Sequence, residues 1–347
     1  MPSSFPERMR AWVGHRLARA PDLIVRHVTA RRPVTVGGLR LEPRTQHALQ
    51  LLKIARRAPL EALPVEVARR EYADFPRVFD STPRPLPRVE DDAIPGPAGE
   101  IPVRIYAASL EPRLPALVYF HGGGGVIGTI DTHDALCRLV TRALGGLLIS
   151  VEYRLAPEHP FPAGLDDAVA AHRWASAHAE ALGADPDRLA VGGDSMGGNL
   201  AAVVCQLARD SGGVLPRAQW LLYPAIDRTQ DTESLRLFAE GFLLDAATID
   251  WFTEQYAGDA DLADPRVSPL RHPALGGLPP AVVVTAGFDP LRDEGQAYAR
   301  ALRAAGVEVR ERCWDGLVHG FGQMTGTVEQ ASQAVMEAVG ELRALLR

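Results

Sequence analysis

The sequence predicts an α/β fold: a mostly parallel central sheet with helices on both faces, plus a helical cap. Three observations predict it. From Val89 onward, short apolar runs alternate with amphipathic helical stretches. The runs are mostly apolar without interruption, as strands buried on both faces must be. Between Ala225 and about His272 the rhythm breaks, with helical stretches and no strand between them.

The elements follow in order. Residues 1–88 are rich in Arg and Pro and carry helical stretches such as Thr45 to Arg57. Strand-like runs then fall at Val103 to Ala107, Ala116 to Phe120, Leu147 to Val151, Leu189 to Val191, Trp220 to Tyr223, Ala281 to Thr285 and Val307 to Arg310. The break in rhythm holds expected helices at Asp231 to Ala239 and Ala246 to Ala257. We divide the chain into an N-terminal helical segment (1–88) contributing to a cap, an α/β domain (89–224 and 273–347), and a helical cap insertion (225–272). Neither an internal repeat nor a low-complexity segment is present.

Composition narrows the function. With 46% hydrophobic and 23% charged residues, the chain is that of an ordinary globular protein. At 347 residues it is expected to bury about three-quarters of its unfolded surface. A net charge of −6 argues against nucleic acid as a partner. No apolar run approaches the roughly 18 residues of a membrane span. Cys137, Cys205 and Cys313 lack metal-ligand spacing, so we expect no metal, and reduced thiols in a cytoplasmic setting. Arg8, Arg10, Arg16, Arg19, Arg26, Arg31 and Arg32 crowd the N-terminal segment. No continuous apolar core follows them, as a signal peptide requires. Trp12, Val13, Leu17, Leu23 and Ile24 offer an apolar face to a membrane surface, but cap helices with a solvated basic face are the favoured reading.

The chemistry is carried by Val191-Gly-Gly-Asp-Ser-Met-Gly-Gly-Asn199, which sets Gly-x-Ser-x-Gly between a short apolar run and a helical pattern. A serine on so tight a strand-to-helix turn is pushed into the open, and flanking side chains would collide with neighbouring backbone. The pentapeptide is short enough to arise by chance, so its context decides. Upstream, the apolar run ending at Phe120 leads directly into His121-Gly122-Gly123-Gly124-Gly125. Consecutive glycines let backbone N–H groups approach an oxygen that develops negative charge. The loop has neither the spacing of a dinucleotide fingerprint nor the Gly-Lys-Ser/Thr ending of a P-loop.

A nucleophilic serine needs a base and an orienting acid, which on such sheets follow it in chain order. Only His272 and His319 lie downstream of Ser195. His272 sits in a loop ahead of any plausible acid. His319 follows the strand-like Val307 to Cys313, in Trp314-Asp-Gly-Leu-Val-His-Gly-Phe321, where open α/β sheets place their chemistry. For the acid, Asp289 ends the apolar run Ala281 to Phe288. Asp293 and Glu294 are close rivals, but Asp293 looks like the start of the next helix, and Asp315 is too near His319 in sequence.

These segments resemble the hormone-sensitive-lipase-like carboxylesterases, the bacterial family IV of the α/β-hydrolase superfamily. The resemblance runs from about Pro102 to the C-terminus. It rests on His-Gly-Gly-Gly at 121–124, Tyr153-Arg-Leu-Ala-Pro-Glu158 with His159-Pro-Phe-Pro162, Gly193-Asp-Ser-Met-Gly-Gly198, Asp289-Pro-Leu-Arg-Asp-Glu294 and Val318-His-Gly-Phe321. It implies an α/β-hydrolase fold, a Ser195–Asp289–His319 triad, and an oxyanion hole made by the N–H groups of Gly123, Gly124 and Met196. It also implies hydrolysis of short- to medium-chain esters through an acyl-enzyme, without a cofactor. Supporting roles fall to Gly122, to Asp194 bracing the elbow, to His121 fixing its loop, and to Glu158 paired with Arg154 beneath it.

Three positions depart from the family pattern. Met196 stands where alanine is usual, Glu152 where aspartate is common, and Gly125 where a bulky residue often follows the glycines. We expect Gly125 to open space beside the oxyanion hole. Other readings of the same residues are amide or lactone hydrolysis, acyl transfer to an alcohol, or a non-catalytic receptor like the plant-hormone receptors of this fold. Those receptors lack the histidine retained here as His319. The partner is a small-molecule ester, and oligomeric state stays open, a homo-oligomer included.

Overall fold

The computed structural model describes residues 16–55 and 58–347. Arg8, Arg10, Trp12, Val13 and Arg57 lie outside the described residues. The chain opens with α1 (Asp22–Ala30), a two-stranded hairpin of β1 (Thr35–Val36) and β2 (Leu39–Arg40), and α2 (Pro43–Ala55). Then come α3 (Val65–Ala73) and α4 (Phe75–Phe79), followed by β3 (Arg88–Gly96), β4 (Gly99–Ala107) and β5 (Leu114–Phe120). Next are α5 (Asp134–Leu144), β6 (Leu147–Val151), α6 (Ala163–Ala177), α7 (Ala179–Leu182), β7 (Ala184–Asp194) and α8 (Met196–Asp210). After β8 (Gln219–Leu222), α9 (Glu233–Leu237) and α10 (Ala246–Ala257) follow without an intervening strand. The chain finishes with β9 (Ala281–Phe288), α11 (Arg292–Ala304), β10 (Val309–Val318) and α12 (Glu329–Leu345).

Eight strands form one sheet in the order β10-β9-β8-β7-β5-β6-β4-β3. Pairing is parallel from β10 to β6, while β4 pairs antiparallel with both β6 and β3. Alternate residues of the central strands feed two cores. Ala116, Val118 and Phe120 join Ile149, Val191, Val283 and the inner faces of α6, α8 and α11. Leu117 and Tyr119 join Leu148, Trp220, Val284 and the apolar sides of α5 and α12. Burial on both faces explains the unbroken apolar runs.

Topology places the chemistry. The chain leaves β5 for β6 on one side and returns for β7 on the other, so the carboxyl ends of β5 and β7 are neighbours where the winding reverses. Register is specific there: Phe120 lies opposite Gly193, Asp194 opposite Leu222, and Phe288 opposite Val318. His121, Ser195, Asp289 and His319 each follow one of these strand ends.

Two departures from the sequence reading have physical causes. Strand β3 was not anticipated, because Glu90, Asp91, Asp92 and Pro95 lie on an exposed sheet edge with almost nothing buried. Charge and proline suit such an edge and hide it from a hydrophobicity reading. Strand β10 runs on to Val318 rather than ending near Cys313, with an irregular register between Trp314 and Val318. The residues Trp314-Asp-Gly therefore lie in a strand, not a loop.

The N-terminal residues divide by location. Leu41 and Ala48 join the α5/α12 core, and the Glu42 N–H donates to the Gly316 carbonyl at 2.9 Å. Farther along, Leu60, Leu63, Val65, Ala68 and Tyr72 pack with Leu244, Ile249, Trp251 and Phe252 around Val126 and Ile127. Glu61 accepts a 2.8 Å hydrogen bond from the Thr248 hydroxyl across this contact.

Candidate active site

Ser195 occupies the turn between β7 and α8 with φ 53° and ψ −117°, a strained conformation for a residue with a side chain. Its surroundings leave no alternative to glycine at Gly197, where an added Cβ would lie 1.9 Å from the Phe120 carbonyl oxygen. The turn is tied to the sheet, because the Ser195 N–H donates to the Leu222 carbonyl at 2.9 Å.

From this turn a hydrogen-bond chain crosses three strand ends. Ser195 Oγ lies 2.9 Å from His319 Nε2, and His319 Nδ1 lies 2.9 Å from Asp289 Oδ2. The other carboxylate oxygen of Asp289 accepts the Leu291 N–H at 2.8 Å, and Asp289 is fully buried. The edge of the Tyr223 ring packs on the His319 ring, with centroids 4.9 Å apart. Ring rotation and carboxylate rotation are thus both restrained. Such a chain can move a proton from the hydroxyl to Nε2 while the carboxylate holds the Nδ1–H.

The glycine loop turns sharply, with the Val126 and Ile127 N–H groups donating to the Gly123 carbonyl at 3.0 and 2.9 Å. Gly123 and Gly124 have φ of +111° and +65°. Their N–H groups donate to no protein acceptor among the described residues. Met196 opens α8, where a first-turn N–H has no partner within the helix. These three donors lie beside the serine's strand end, where a developing oxyanion can be met.

Asp194 ties the loop to the elbow. Its Oδ1 accepts the Gly122 N–H at 2.8 Å and the Tyr119 hydroxyl at 2.5 Å, and lies 3.5 Å from His133 Nε2. Burial by itself raises the Asp194 pKa, but His133, the Tyr119 hydroxyl and the Gly122 N–H outweigh it and hold the carboxyl below its ordinary value. His121 is fully buried, stacked on Tyr153 at 4.4 Å, with its Nδ1 2.7 Å from the Gly122 carbonyl. Burial, helped by His133, pushes its pKa down to about 3, so its ring is neutral at ordinary pH.

Two expectations are corrected. Glu158 does not pair with Arg154. Arg154 turns to Asp167 of α6 at 2.8 Å, and Glu158 takes a two-pronged contact from Arg69 of α3 at 2.9 and 2.7 Å. The Arg69 guanidinium also donates to the Val126 and Ala156 carbonyls, both at 2.9 Å, so Glu158 supports the glycine loop through Arg69. Gly125 does not open free space. A Cβ there would lie 2.5 Å from the Tyr256 ring, because α10 lies across the loop, with Phe252 similarly against Gly124.

The rejected candidates sit elsewhere. His272 pairs with Asp210 at 2.9 Å, Asp293 accepts the Ser234 N–H at 2.8 Å, and Asp315 is exposed. Among the described residues no group of three or more potential metal ligands converges, and no helix is long and apolar enough to cross a membrane. Tyr119, His133, Tyr223 and Arg69 were not singled out from sequence. Each acts across a separation that carries no local pattern.

Residues 117–323 match the family model described as α/β hydrolase fold. The chain is 48% identical over 338 residues to the carboxylic ester hydrolase LipN of Mycobacterium tuberculosis, covering 94% of this chain and 89% of that protein. It is 39% identical over 313 residues to an ethyl acetate hydrolase of Pseudomonas putida, covering 87% and 98%. Among solved structures, an ester hydrolase from the Lake Arreo metagenome superposes with a TM-score of 0.85 at 45% identity, covering 88% and 98%. The chain belongs to the α/β-hydrolase family, and within it to the hormone-sensitive-lipase-like group that its motifs resemble.

Proposed function

We propose that the protein is a serine carboxylesterase that hydrolyses short- to medium-chain esters through an acyl-enzyme. The observation that carries this reading is the continuous chain from Ser195 Oγ through His319 to Asp289, with both links at 2.9 Å, beside the glycine loop. The names of its relatives, carboxylic ester hydrolase and ethyl acetate hydrolase, agree with it.

In this mechanism neutral His319 takes the Ser195 proton through Nε2 as Oγ attacks the ester carbonyl. Asp289 keeps the proton on Nδ1 and stabilises the imidazolium that forms. Negative charge on the carbonyl oxygen is met by the N–H groups of Gly123, Gly124 and Met196, each contributing about 3 kcal/mol. His319 then protonates the departing alcohol, and water repeats the cycle on the acyl-enzyme. Residues 225–272, together with the N-terminal segment, form the cap in this proposal. Its support is the apolar cluster that joins α3 and α10 over Val126 and Ile127.

Hydrolysis of p-nitrophenyl esters from acetate to palmitate, by wild type and Ser195→Ala, tests the proposal. Activity should peak at short to medium chains and fall at least about 10⁴-fold in the variant. Activity persisting in Ser195→Ala would overturn it.

A further inference from the structure

Among the described residues, one cation beside the elbow has no counterion in contact. Arg228 lies in the segment after β8, half-buried, with its backbone N–H held by the Ser268 hydroxyl at 2.9 Å. Its guanidinium reaches the Met196 sulfur at 3.3 Å and the Thr253 hydroxyl of α10 at 3.1 Å. Among the described residues, no carboxylate forms an ion pair with it, while its neighbour Asp227 pairs with Arg271. The adjacent carboxylate, Asp227, is committed elsewhere: it binds Arg271 Nε at 2.8 Å and the Thr229 hydroxyl at 2.7 Å. Glu294, the other acid that interacts with Arg228, accepts the Ile226 N–H at 2.6 Å. Burial raises the Glu294 pKa to about 8, which disfavours its charged form.

A guanidinium offers five donors and never loses its proton in a protein, and a thioether and a hydroxyl are weak partners for it. A partly desolvated charge left in this state is costly unless a partner arrives. A second group stands ready nearby. Tyr256 is 2% exposed, its hydroxyl has no hydrogen-bond partner, and that phenol feels the Arg228 charge. Thr253 and Tyr256 are three apart on α10 and so share a helix face. Met196 is the residue next to Ser195, which puts the guanidinium within roughly 12 Å of the serine Cα by chain geometry.

We propose that Arg228, with the Tyr256 hydroxyl, binds a carboxylate carried by the ester substrate itself, making esters that bear a free carboxylate a preferred substrate class. This rests on the esterase reading above. The carboxylate stays intact; only the ester bond breaks, releasing a dicarboxylic acid or a hydroxy acid. A guanidinium–carboxylate contact in a half-buried setting is charge-assisted and directional, so it orients the ester as well as holding it.

The test compares matched esters. Monoethyl adipate against ethyl heptanoate places the charge on the acyl side, and 4-acetoxybutanoate against pentyl acetate places it on the alcohol side. In at least one pair, Arg228→Met should lower the charged-to-neutral ratio of kcat/KM tenfold or more, chiefly through KM, with Arg228→Lys retaining part of it. Thr253→Val, which removes the Arg228 contact to α10 and the hydroxyl's own bond to the Ile249 carbonyl, should leave that ratio within about twofold. A ratio unmoved by Arg228→Met in both pairs, or lowered equally by Thr253→Val, overturns the proposal. Should Arg228→Met fail to fold, wild type carries the test: added salt should weaken turnover of the charged ester while sparing its neutral match, and equal effects overturn the proposal. Failure of wild type on all four esters would instead sink the esterase reading.

Discussion

Replacing Asp194 with asparagine probes how far a charge buried beneath the elbow sets the glycine loop. The substitution keeps shape and one acceptor oxygen. Two short contacts lose their ionic character, those from the Gly122 N–H at 2.8 Å and the Tyr119 hydroxyl at 2.5 Å, along with a longer one from the Tyr223 hydroxyl to the other oxygen at 3.4 Å. A hydrogen bond to a charged group contributes about 1.5–3 kcal/mol and a neutral one about 1, so the pair should lose roughly 2–3 kcal/mol. In a chain of 347 residues that lowers Tm by about 3–4 °C. Gly122 adjoins the expected donor Gly123, and losing one oxyanion donor outright costs about 10²–10³ in kcat. A loosened loop should therefore lower kcat about 10–100-fold, with KM less affected. Steady-state kinetics on p-nitrophenyl butyrate, with Tm by calorimetry, would measure both. The pH dependence has a definite sign. The folded pKa of Asp194 is depressed, so its contribution is fully present above the unfolded value of about 3.9 and is lost as pH falls through the lower folded value. Asp194→Asn should flatten that part of the acid limb. A variant with wild-type kcat and Tm would refute the reasoning.

Other outcomes follow from buried groups around the site. Glu294 has its pKa raised to about 8, so its stabilising contribution is complete below the unfolded value near 4.5 and is lost as pH rises through 8. Glu294→Gln, which keeps the acceptor for Ile226, should reduce the decline of Tm between pH 5 and 8; an unchanged slope would remove Glu294 as its source. Tyr256 fills the space beside Gly125, and truncating so buried an aromatic costs about 3–5 kcal/mol. Tyr256→Ala should raise the ratio of bulky-ester to small-ester turnover, and a fall or no change in that ratio would contradict the placement.

Much of the fold was legible because the central strands are buried on both faces, and a strand with no solvent-facing side must be apolar throughout, as Ala281 to Val284 are. Strand β3 was not legible, since an exposed acidic edge carries no hydrophobic signal. The end of β10 was missed because Trp314-Asp-Gly reads as a turn, while the chain absorbs it as a register irregularity within a strand. Ser195 and Asp289 could be singled out because each directly follows an apolar strand-like run, and His319 because it lies a few residues beyond one, so position in the alternation pointed to one edge of the sheet. Arg69 could not be: it reaches Glu158 across 89 residues, and nothing near Arg69 marks it. The expected Glu158–Arg154 contact failed for a related reason. Proximity in sequence favoured Arg154, but Asp167 on the first turns of α6 satisfies it with both carboxylate oxygens. Gly125 was read as an opening because sequence shows which side chain is missing and not which one fills the gap.

The contact of α10 with the glycine loop has a consequence for evolution and engineering. Phe252 and Tyr256 abut Gly124 and Gly125 so closely that neither glycine tolerates a methyl group unless a ring moves. Helix α10 and the glycine loop it packs on are therefore one evolving unit, cut from distant parts of the gene. Transplanting residues 225–272 from a relative whose loop carries a bulky residue at position 125 should misfit, and exchanging both pieces together should restore turnover.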